Sequence, residues 1–312
     1  KKKILKIPKK FTWEIKKIEI YSEKLKKDKI LNFENNNKIL FYMVKNDELY
    51  KLLNNELLKS KFFKKNIIKQ ENFYDKFLNK NNYDLIINCD QNNQISKKFF
   101  SKKIDKDYKN LAYTTILAHR KLENNSAIQV FTGSGPIAFL PISNTKTSVV
   151  CSLDTHNKNY EDYEIIELIN KHNPKFEIKK ILKLSNFNLK SSNLRNYYSE
   201  NILSFGDSLH RIHPLAGQGF NMTIRDIENL SKIIQDKINL GLQLDSLVLE
   251  EFQKKTKNKN FIFSSGIDFI YEFFNFNKKI KGKNINQILK YFGSNKNFIN
   301  SIIKFADKGL NI

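Results

Sequence analysis

The alternation of hydrophobic and polar positions predicts strands at the start of the chain. The runs "WEIKKIEIY" at 13–21 and "KILFYMV" at 38–44 follow the strand period of two. The segment "NDELYKLLNNELLKS" at 46–60 predicts a helix, because its leucines fall on one helical face. The run "YDLIINCD" at 83–90 is short and almost continuously apolar, which is typical of a strand buried on both faces.

The middle of the chain is predicted to be rich in strands. Residues 110–153 contain four strand-like runs separated by Asn, Gly, Pro and Ser, and "YEDYEIIELINKH" at 160–172 predicts a helix. After the strand "NILSFGD", an amphipathic helix is predicted to begin near Asn221. Its hydrophobic residues at helical spacing are Ile224, Ile227, Leu230, Ile234 and Ile238. There is no internal repeat and no long linker, so two domains in this chain would be interleaved.

The charge of the chain changes this picture little. The 312 residues include 55 Lys and Arg against 32 Asp and Glu, which gives a formal net charge of +23. Such an excess usually indicates nucleic acid or an anionic membrane as partner. However, the arginines are few (Arg120, Arg195, Arg211 and Arg225), and the lysines are spread through every segment. Nucleic-acid recognition favours clustered arginine forks, so we expect a lysine-rich solvated surface and no nucleic-acid partner. A lysine-rich nucleic-acid-binding protein is the alternative.

Cysteine usage and hydropathy predict a cytoplasmic protein. Cys89 and Cys151 are far apart and form no C-x-x-C pair, which argues against a zinc knuckle and a disulfide framework. No apolar run approaches the ~18 residues of a membrane span. The first residues, "KKKILKIPKKFTW", lack the apolar core of a signal peptide.

The sequence "GSGPIA" at 133–138 matches the dinucleotide fingerprint G-x-G-x-x-A and follows a predicted strand. That fingerprint needs a helix to begin at its third position, so that the helix amides face a pyrophosphate. Here Pro136 and Pro141 are followed by another strand-like run. We therefore predict a glycine turn between antiparallel strands.

A second glycine-rich segment, "GDSLHRIHPLAGQGFNMTIRD" at 206–226, has the context that the first lacks, because it joins a predicted strand to a predicted helix. Asp207 at the end of the strand is suited to accept hydrogen bonds from sugar or polyol hydroxyls. Gly217 and Gly219 let the backbone approach a flat ligand, and the free amides of the helix start favour negative charge. Together they predict a planar, polyol-linked, partly anionic cofactor.

The same segment contains His210 and His213, which raise the question of a metal site. A catalytic zinc usually takes three protein ligands, and no third clustered His or Cys is present in the sequence. We therefore expect no metal, and histidines that hydrogen-bond the backbone or pack on the ligand.

"GDSLHRIHPLAGQGFNMTIRDIENL" at 206–230 resembles the second flavin-binding motif of the FAD-dependent aromatic hydroxylases, most closely that of the ubiquinone-biosynthesis hydroxylases. "AIQVFTGSGPIAFLPISNTKTSVV" at 127–150 resembles the substrate-domain strands of this family. "YDLIINCDQNNQIS" at 83–96 lies where the family has its D-G motif. The resemblance extends over the chain from Trp13 onward.

This resemblance implies a monooxygenase that uses FAD, NAD(P)H and oxygen to hydroxylate the aromatic ring of a polyprenyl phenol in ubiquinone biosynthesis, through a flavin hydroperoxide. In this scheme no side chain need act as nucleophile, and the resemblance leaves the catalytic residues unknown. Asp207 is expected at the ribityl and pyrophosphate region of FAD, and Asp90 as the acid of the D-G motif. The residues expected along the isoalloxazine are Pro214, Gly217, Gln218, Gly219 and Asn221.

The implied fold is α/β, with a Rossmann-like FAD-binding domain that is truncated at its amino terminus and interleaved with a β-sheet substrate domain. A helical carboxyl-terminal segment follows. The expected division is into substrate-domain strands at 1–40, an FAD-domain part at 41–103, the β-rich substrate domain at 104–196, a second FAD-domain part with the flavin motif at 197–245, and a helical region at 246–312.

The chain departs from the family pattern at two places. Gln91 replaces the glycine of the D-G motif, and the family's S-x-V-R reads Ser96-Lys97-Lys98. The sequence also has no counterpart of the strand, G-x-G-x-x-G and helix with which the family begins. Since the first residue is Lys and not Met, we expect that the given sequence is truncated at its amino terminus. The alternative function is a degenerate, non-catalytic relative that acts as a scaffold in a biosynthetic complex.

The carboxyl-terminal segments carry aromatic stripes. "FIFSSGIDFIYEFFNF" at 261–276 places Phe263, Ile267, Ile270 and Phe274 on one helical face, and 298–310 is similar. We expect these faces to pack on the fold. The alternative is an amphipathic surface that docks on a partner or on the inner face of an anionic membrane, and a membrane suits a lipid-tailed phenol.

Overall fold

The computed structural model describes residues 7–23, 29–34, 38–67, 78, 83–155, 158–213 and 218–279. The chain forms two compact units, each built from separate stretches of sequence. The first unit consists of Lys1–Asn66, Lys109–Asn188 and Asn277–Ser301, and the second of Ile67–Tyr108, Leu189–Phe276 and Ile302–Ile312. The domain boundaries expected from the sequence stay a prediction.

The described residues contain strands and helices in the following chain order. The strands are β1 (Thr12–Ile15), β2 (Lys17–Ser22), β3 (Lys29–Glu34), β4 (Phe41–Val44), β5 (Ile86–Asn88), β6 (Lys103–His119), β7 (Ser126–Phe131), β8 (Pro136–Ser143), β9 (Lys146–Asp154), β10 (Ile178–Ile181), β11 (Ser185–Leu194), β12 (Tyr198–Ser199), β13 (Ile202–Ser204) and β14 (His210–Arg211). The helices are α1 (Asn46–Leu58), α2 (Gln94–Phe99), α3 (Asp162–Lys171), α4 (Gln218–Asn239) and α5 (Ser246–Lys279). The mixed α/β class predicted from the sequence is confirmed.

The first unit is built on a mostly antiparallel sheet with the strand order β6-β9-β8-β7-β2-β3, in which β2 and β7 run parallel. The strand β10 pairs with β6, and β1 pairs with β4 in a small separate sheet. Along β7, β8 and β9 the inward positions alternate with less buried ones, as the period of a strand requires. The inner faces pack against α3 around Phe139, Val149 and Ile165.

The glycine turn predicted at 133–138 is confirmed, because it joins the antiparallel strands β7 and β8. Gly135 has φ +148°, and a Cβ added to it would lie 1.9 Å from the backbone oxygen of Ser152. The hydroxyl of Thr132 donates to the Gly135 carbonyl at 2.7 Å and closes the turn. No helix begins at residues 133–138, so the turn lacks the helix amides that the fingerprint requires.

Two helices of the first unit match the sequence analysis in position. The helix α3 begins at a capping box, in which the Glu161 side chain caps the first turn and Glu164 reaches back to the Glu161 backbone. Its inner face buries Ile165 and Ile169. The helix α1 is also present, but none of its side chains is buried.

The second unit contains a three-stranded sheet with the order β12-β13-β5, in which β13 and β5 run parallel. In β11, Ser192 and Asn193 pair with Arg211 and His210 of β14. The core packs this sheet against α4 and the start of α5. Its fully buried members include Leu203, Ile233, Val248, Leu249 and Phe252.

The buried face of α4 differs from the face that the hydrophobic pattern predicted. Ile224, Ile227 and Ile238 are exposed, whereas the buried residues of this helix are Met222, Asp226, Leu230 and Ile233. The inner face contains the carboxylate of Asp226, which interrupts its apolar pattern. The spacing of apolar residues therefore pointed to the neighbouring face, which carries Ile224 and Ile227.

Part of the aromatic stripe of 261–276 packs inside the second unit, as expected. Phe263 and Ile267 are buried together with Ile212 and Met222. Phe269 is exposed, and nothing is described for the side chains of Ile270 and Phe274. The segment 298–310 lies outside the described residues. In the part of the chain that the structure describes, no helix has both the length and the apolar character to cross a membrane.

Candidate cofactor site

The candidate site begins where two parallel strands end side by side. Ile86, Ile87 and Asn88 of β5 are in register with Ile202, Leu203 and Ser204 of β13. The carboxyl ends of parallel neighbours lie at the same edge of a sheet, which is where ligands bind in open α/β sheets. Asp90 and Asp207 follow these two ends, so the fold brings together two acids that are more than a hundred residues apart.

Buried hydroxyl and amide groups join the two loops that carry the acids. The Ser96 hydroxyl donates to the Asp90 carbonyl at 2.5 Å and lies 3.4 Å from the Ser208 hydroxyl. The Ser204 hydroxyl donates to Ser208 at 2.9 Å, and the Phe205 amide donates to the Asn88 carbonyl at 2.9 Å. The backbone at this edge is therefore fixed by hydrogen bonds on both strands.

The loop after β5 leads directly into the short helix α2. The Asn93 side chain caps this helix by accepting from the Ser96 amide at 2.9 Å, and Asn88 accepts from Asn93 at 2.6 Å. The Asp90 carboxylate accepts from the Asn92 amide at 2.8 Å and is exposed, as is Gln91. The residues Asp90 and Gln91, which stand where the family has Asp and Gly, thus form a hydrogen-bonded turn in which the Gln91 side chain is exposed.

Asp207 lies in a single 3-10 turn, Gly206–Ser208, that directly follows β13 and Phe205. Gly206 adopts φ +64°, a conformation that side chains rarely take, and this reverses the chain at the end of the strand. The Asp207 side chain is exposed. A carboxylate held at the strand end and open to solvent is free to accept hydrogen bonds from a ligand's hydroxyls.

The amino terminus of α4 provides the second half of the candidate site. This helix has 22 residues and no acidic residue in its first turn, so no carboxylate of that turn offsets the positive end of its dipole. Gln218 is its first residue, and Gly219 and the exposed Asn221 follow within the first turn. A Cβ on Gly219 would make an ordinary contact of 3.6 Å with Ile212, so the protein itself does not require a glycine there. Pro214 and Gly217 lie outside the described residues.

The two histidines of the segment are both buried, but they have different surroundings. His210 donates from Nε2 to the Asp226 carboxylate at 2.5 Å, and Asn260 donates to both oxygens of the same carboxylate at 3.1 and 3.2 Å. Burial and then the charge of Asp226 raise the pKa of Tyr197, whose phenol is close to this group. His210 therefore takes part in a buried polar network.

His213 packs at the other end of β14. Its ring meets Tyr108 edge to face, with 4.8 Å between the ring centroids and an interplanar angle of 88°. The Tyr108 hydroxyl donates to Asp268 on α5. Burial, with a smaller contribution from the positive charge of Lys106, lowers the pKa of His213 to about 4. At neutral pH the His213 ring is uncharged.

Arg225 carries a positive charge into the region beside α5. Its guanidinium lies over the Phe263 ring, 4.4 Å from the centroid, and its Nη1 is buried without a hydrogen-bond partner. Burial lowers the pKa of Arg225, and the adjacent Asp226 partly offsets this.

Buried polar atoms without a hydrogen-bond partner near this segment suit a polar ligand such as FAD. Buried side-chain atoms without a hydrogen-bond partner are concentrated around this segment: Oδ1 of Asn193, Nδ1 of His210, Oε1 of Gln218 and Nη1 of Arg225. Buried polar atoms are nearly always paired, so such a concentration marks a place where a polar ligand or water completes the hydrogen bonding. The exposed acids and the free helix amides add groups that suit hydroxyls and negative charge.

The described residues of this segment bring no set of metal ligands together. Within the described ranges, no group of three or more His, Cys, Asp or Glu side chains could hold a metal ion. His210 directs Nε2 at Asp226, and His213 packs against an aromatic ring. The spacing H-x-x-H thus places the two rings in separate environments.

Four residues of this region were not predicted from the sequence: Asp226, Asn260, Tyr108 and Arg225. Asp226 was within the quoted segment, and its position between Met222 and Leu230 at helical spacing was the available signal. Asn260 and Tyr108 reach the region from distant parts of the chain, and the sequence carries no local signal for them.

Comparison with known proteins places this segment in a family context. Residues 101–241 match the family model described as FAD binding domain. The match includes Asp207, Gln218, Gly219 and Asn221, and it ends before Asn260. The description of this model agrees with the groups found at the sheet edge.

Curated relatives cover about half of the chain. A protein named ubiquinone biosynthesis monooxygenase COQ6, mitochondrial, from Dictyostelium discoideum is 25% identical over 183 residues, which is 47% of this chain and 37% of the relative. The 3-demethoxyubiquinol 3-hydroxylase of Escherichia coli K12 is 31% identical over 175 residues, 53% of this chain and 45% of the relative. The matched part is thus less than half of each relative.

Solved structures show the same fold at low identity. The p-nitrophenol 4-monooxygenase PnpA from Pseudomonas putida DLL-E4 superposes with a TM-score of 0.71 at 11% identity, over 97% of this chain and 84% of that one. A probable FAD-dependent monooxygenase, pqsL from Pseudomonas aeruginosa, has a TM-score of 0.60 at 12% identity, over 94% of this chain and 82% of that one. These likenesses establish the fold.

Proposed function

We propose that this chain is an FAD-dependent aromatic hydroxylase, a monooxygenase that acts on the aromatic ring of a polyprenyl phenol in ubiquinone biosynthesis; the match to the FAD binding domain model and the fold support this proposal. The observation that carries the proposal is the pair of parallel strands β5 and β13, whose carboxyl ends are followed by the exposed acids Asp90 and Asp207. The names of the two curated relatives, both from ubiquinone biosynthesis, support the substrate class. The electron donor we propose is NADH or NADPH.

Bound FAD would supply the electron transfer and oxygen activation that the amino-acid side chains cannot. The Asp207 carboxylate would accept hydrogen bonds from hydroxyls of the cofactor's ribityl chain, because it is exposed at the end of β13. The amides at the start of α4 would stabilise negative charge on the cofactor, since no acid in the first turn competes for them. Gln218 would contribute its buried carbonyl oxygen.

Two further residues would shape the surroundings of the cofactor. His213 is buried and uncharged at neutral pH, so it adds no positive charge to the site. Arg225, by contrast, keeps a guanidinium over Phe263 close to the start of α4. The apolar cluster around Met222 and Phe263 would keep water away from this side of the helix.

Peripheral membrane contact is a proposal that suits a lipid-tailed substrate. On α5, Phe261, Ile262 and Phe269 are exposed, and Lys259 is exposed beside them. Co-sedimentation of the chain with vesicles of anionic lipid, compared with a Phe269→Ser variant, would test this contact. Equal sedimentation of the two proteins would count against it.

The test of the proposed function is the visible absorbance spectrum of the purified chain after incubation with FAD and desalting. A retained flavin band that is bleached by NADH or NADPH in the absence of oxygen would support the proposal. Phenol-dependent NAD(P)H oxidation and mass analysis of the product would then test the hydroxylation itself. A chain that stays colourless at FAD concentrations up to the millimolar range would contradict FAD binding by these residues.

A further inference from the structure

One buried carboxylate joins three elements of the second unit. Asp226, which is 1% exposed, lies on the inner face of α4 and accepts from His210 at the start of β14 and from Asn260 on α5. His210 is 2% exposed and Asn260 is 6% exposed, so solvent does not compete for these hydrogen bonds. We call these three residues the Asp226 network.

The Asp226 network lies between the two halves of the candidate cofactor site. His210 is three residues beyond Asp207, and Asp226 is eight residues beyond Gln218, about 12 Å along the helix. A bond between His210 and Asp226 therefore sets where the Asp207 turn lies relative to the amino terminus of α4. Asn260 fixes the same carboxylate to the long helix α5.

A carboxylate at this position is poorly explained by stability alone. The neighbours of Asp226 on the inner face of α4 are Met222, Leu230 and Ile233, so an apolar residue would continue the core. Removing a carboxylate from water carries a desolvation cost, and replacing buried ionic groups with well-packed apolar ones is often neutral or stabilising. What the polar network provides instead is a defined direction and distance between three elements.

We propose that Asp226, His210 and Asn260 are positioning residues that hold the Asp207 turn and the start of α4 in the arrangement that binds the cofactor; this inference rests on the proposed function. None of the three needs to touch the cofactor. They act through the backbone of β14 and α4, as residues behind a binding group commonly do.

The experiment compares Asp226→Asn, which keeps the shape and removes the charge, with Asp236→Asn, an exposed carboxylate on the same helix. A second pair is Asn260→Ala with Asn258→Ala, an exposed amide on the same helix α5. Amide hydrogen exchange is measured on the full chain without FAD, in peptides that cover 207–213 and 218–224. Peptides covering the β7–β8 hairpin, 126–143, report on stability elsewhere.

We expect Asp226→Asn and Asn260→Ala to speed exchange in the 207–213 and 218–224 peptides by about tenfold or more, with little change in the hairpin. We also expect them to weaken FAD binding by roughly ten- to hundredfold, measured by fluorescence titration well below the unfolding temperature. Asp236→Asn and Asn258→Ala should behave like the parent in both measurements.

Two results would overturn the inference. The first is that Asp226→Asn and Asn260→Ala leave local exchange unchanged and keep FAD affinity within about twofold of the parent. A twofold change is far below the tenfold change, or about 1.4 kcal/mol, that we expect. The other is faster exchange in every peptide with unchanged affinity, which would show a purely structural role. If Asp226→Asn does not fold, the apolar double replacement of His210→Leu with Asp226→Leu is used, and it should fold yet bind FAD weakly. If the parent itself binds no FAD, the proposed function fails. The exchange data alone then decide whether the Asp226 network fixes the Asp207 turn and the start of α4.

Discussion

Asn88 and Ser204 are register partners in the parallel pair β5–β13, and each is the last residue of its strand. The backbone carbonyl of Asn88 accepts from Phe205, the residue that follows Ser204, at 2.9 Å. This relationship fixes the loops after both strands at one sheet edge, where Asp90 and Asp207 are exposed. The arrangement explains how two short motifs from distant parts of the chain contribute to one site.

The exposed carboxylate of Asp207 is expected to contribute directly to FAD affinity. Replacing it by Asp207→Ala removes a charged acceptor, and hydrogen bonds to charged groups are worth about 1.5–3 kcal/mol, so affinity should fall roughly ten- to hundredfold. Because Asp207 is exposed and in no core cluster, thermal stability without FAD should change little. FAD titration and thermal unfolding, with Asp236→Ala as the control, check both statements. Equal affinity of Asp207→Ala and the parent would show that the site assignment is wrong.

The two glycines of the β7–β8 turn are expected to differ sharply. Gly135 has φ +148°, and its added Cβ would overlap the Ser152 backbone oxygen at 1.9 Å, so Gly135→Ala should destabilise the first unit by at least about 3 kcal/mol. An added Cβ on Gly133 would lie 3.7 Å from Glu23, an ordinary contact. Gly133→Ala should therefore change stability by less than about 1 kcal/mol.

Urea unfolding of the two glycine variants measures this difference. FAD affinity of the folded fraction should be unchanged in both, since the candidate site residues belong to the second unit. A large loss of FAD affinity in a folded Gly135→Ala protein would instead support a nucleotide-binding function for the GSGPIA turn.

The sequence predicted the elements well and the buried faces less well. Strand periodicity located β7, β8 and β9, and the two prolines of β8 correctly excluded a phosphate-binding helix at 133–138. On α4 the same kind of pattern selected Ile224 and Ile227, which are exposed. Periodicity of apolar residues cannot identify a face that is built around a buried carboxylate.

The site was predictable only where it is local in sequence. The candidate residues Asp207, Gln218 and Gly219 are within one motif, and Asp90 was predicted through a second motif. The partners of Asp226 are His210, 16 residues before it, and Asn260, 34 residues after it. Such pairs are set by the packing of β14, α4 and α5, and nothing in the residue pattern of any one of them specifies the other two.

The two cysteines are expected to react at very different rates. Cys151 is fully buried in the first unit, and burial raises its pKa to about 12, so it should not react with a thiol reagent at neutral pH until the chain unfolds. Cys89 is exposed and should react in the native state, slowed because partial burial raises its pKa as well. A chromogenic disulfide reagent should therefore titrate one thiol in the native chain and two in denaturant.

Cys89 also reports on the candidate site, because it lies between Asn88 and Asp90. Saturating FAD should slow the modification of Cys89 by about tenfold. ADP-ribose alone, which lacks the flavin, should slow it less. A Cys89→Ser variant should show no native reaction at all. Two fast thiols in the native chain would mean that the packing described around Cys151 is wrong.

His213 is expected to make stability depend on pH. Burial lowers its pKa to about 4 in the folded chain, whereas an unfolded histidine titrates near ~6.5. Between these values the unfolded chain binds more protons, so the free energy of unfolding falls as the pH is lowered from 7 towards 4. The loss attributable to His213 should be roughly 2 kcal/mol at pH 5.

The variant His213→Phe isolates this contribution, because it keeps an aromatic ring against Tyr108 and removes the titrating group. Between pH 7 and pH 5 its unfolding free energy in urea should fall by about 2 kcal/mol less than that of the parent. Some pH dependence should persist in the variant, because burial also lowers the pKa of His172 in the first unit. The carboxylates Glu23 and Glu164 have lowered pKa values, so their contributions are lost only at more acidic pH and do not interfere in this window. Parallel pH profiles for His213→Phe and the parent would show that His213 is not buried in its uncharged form.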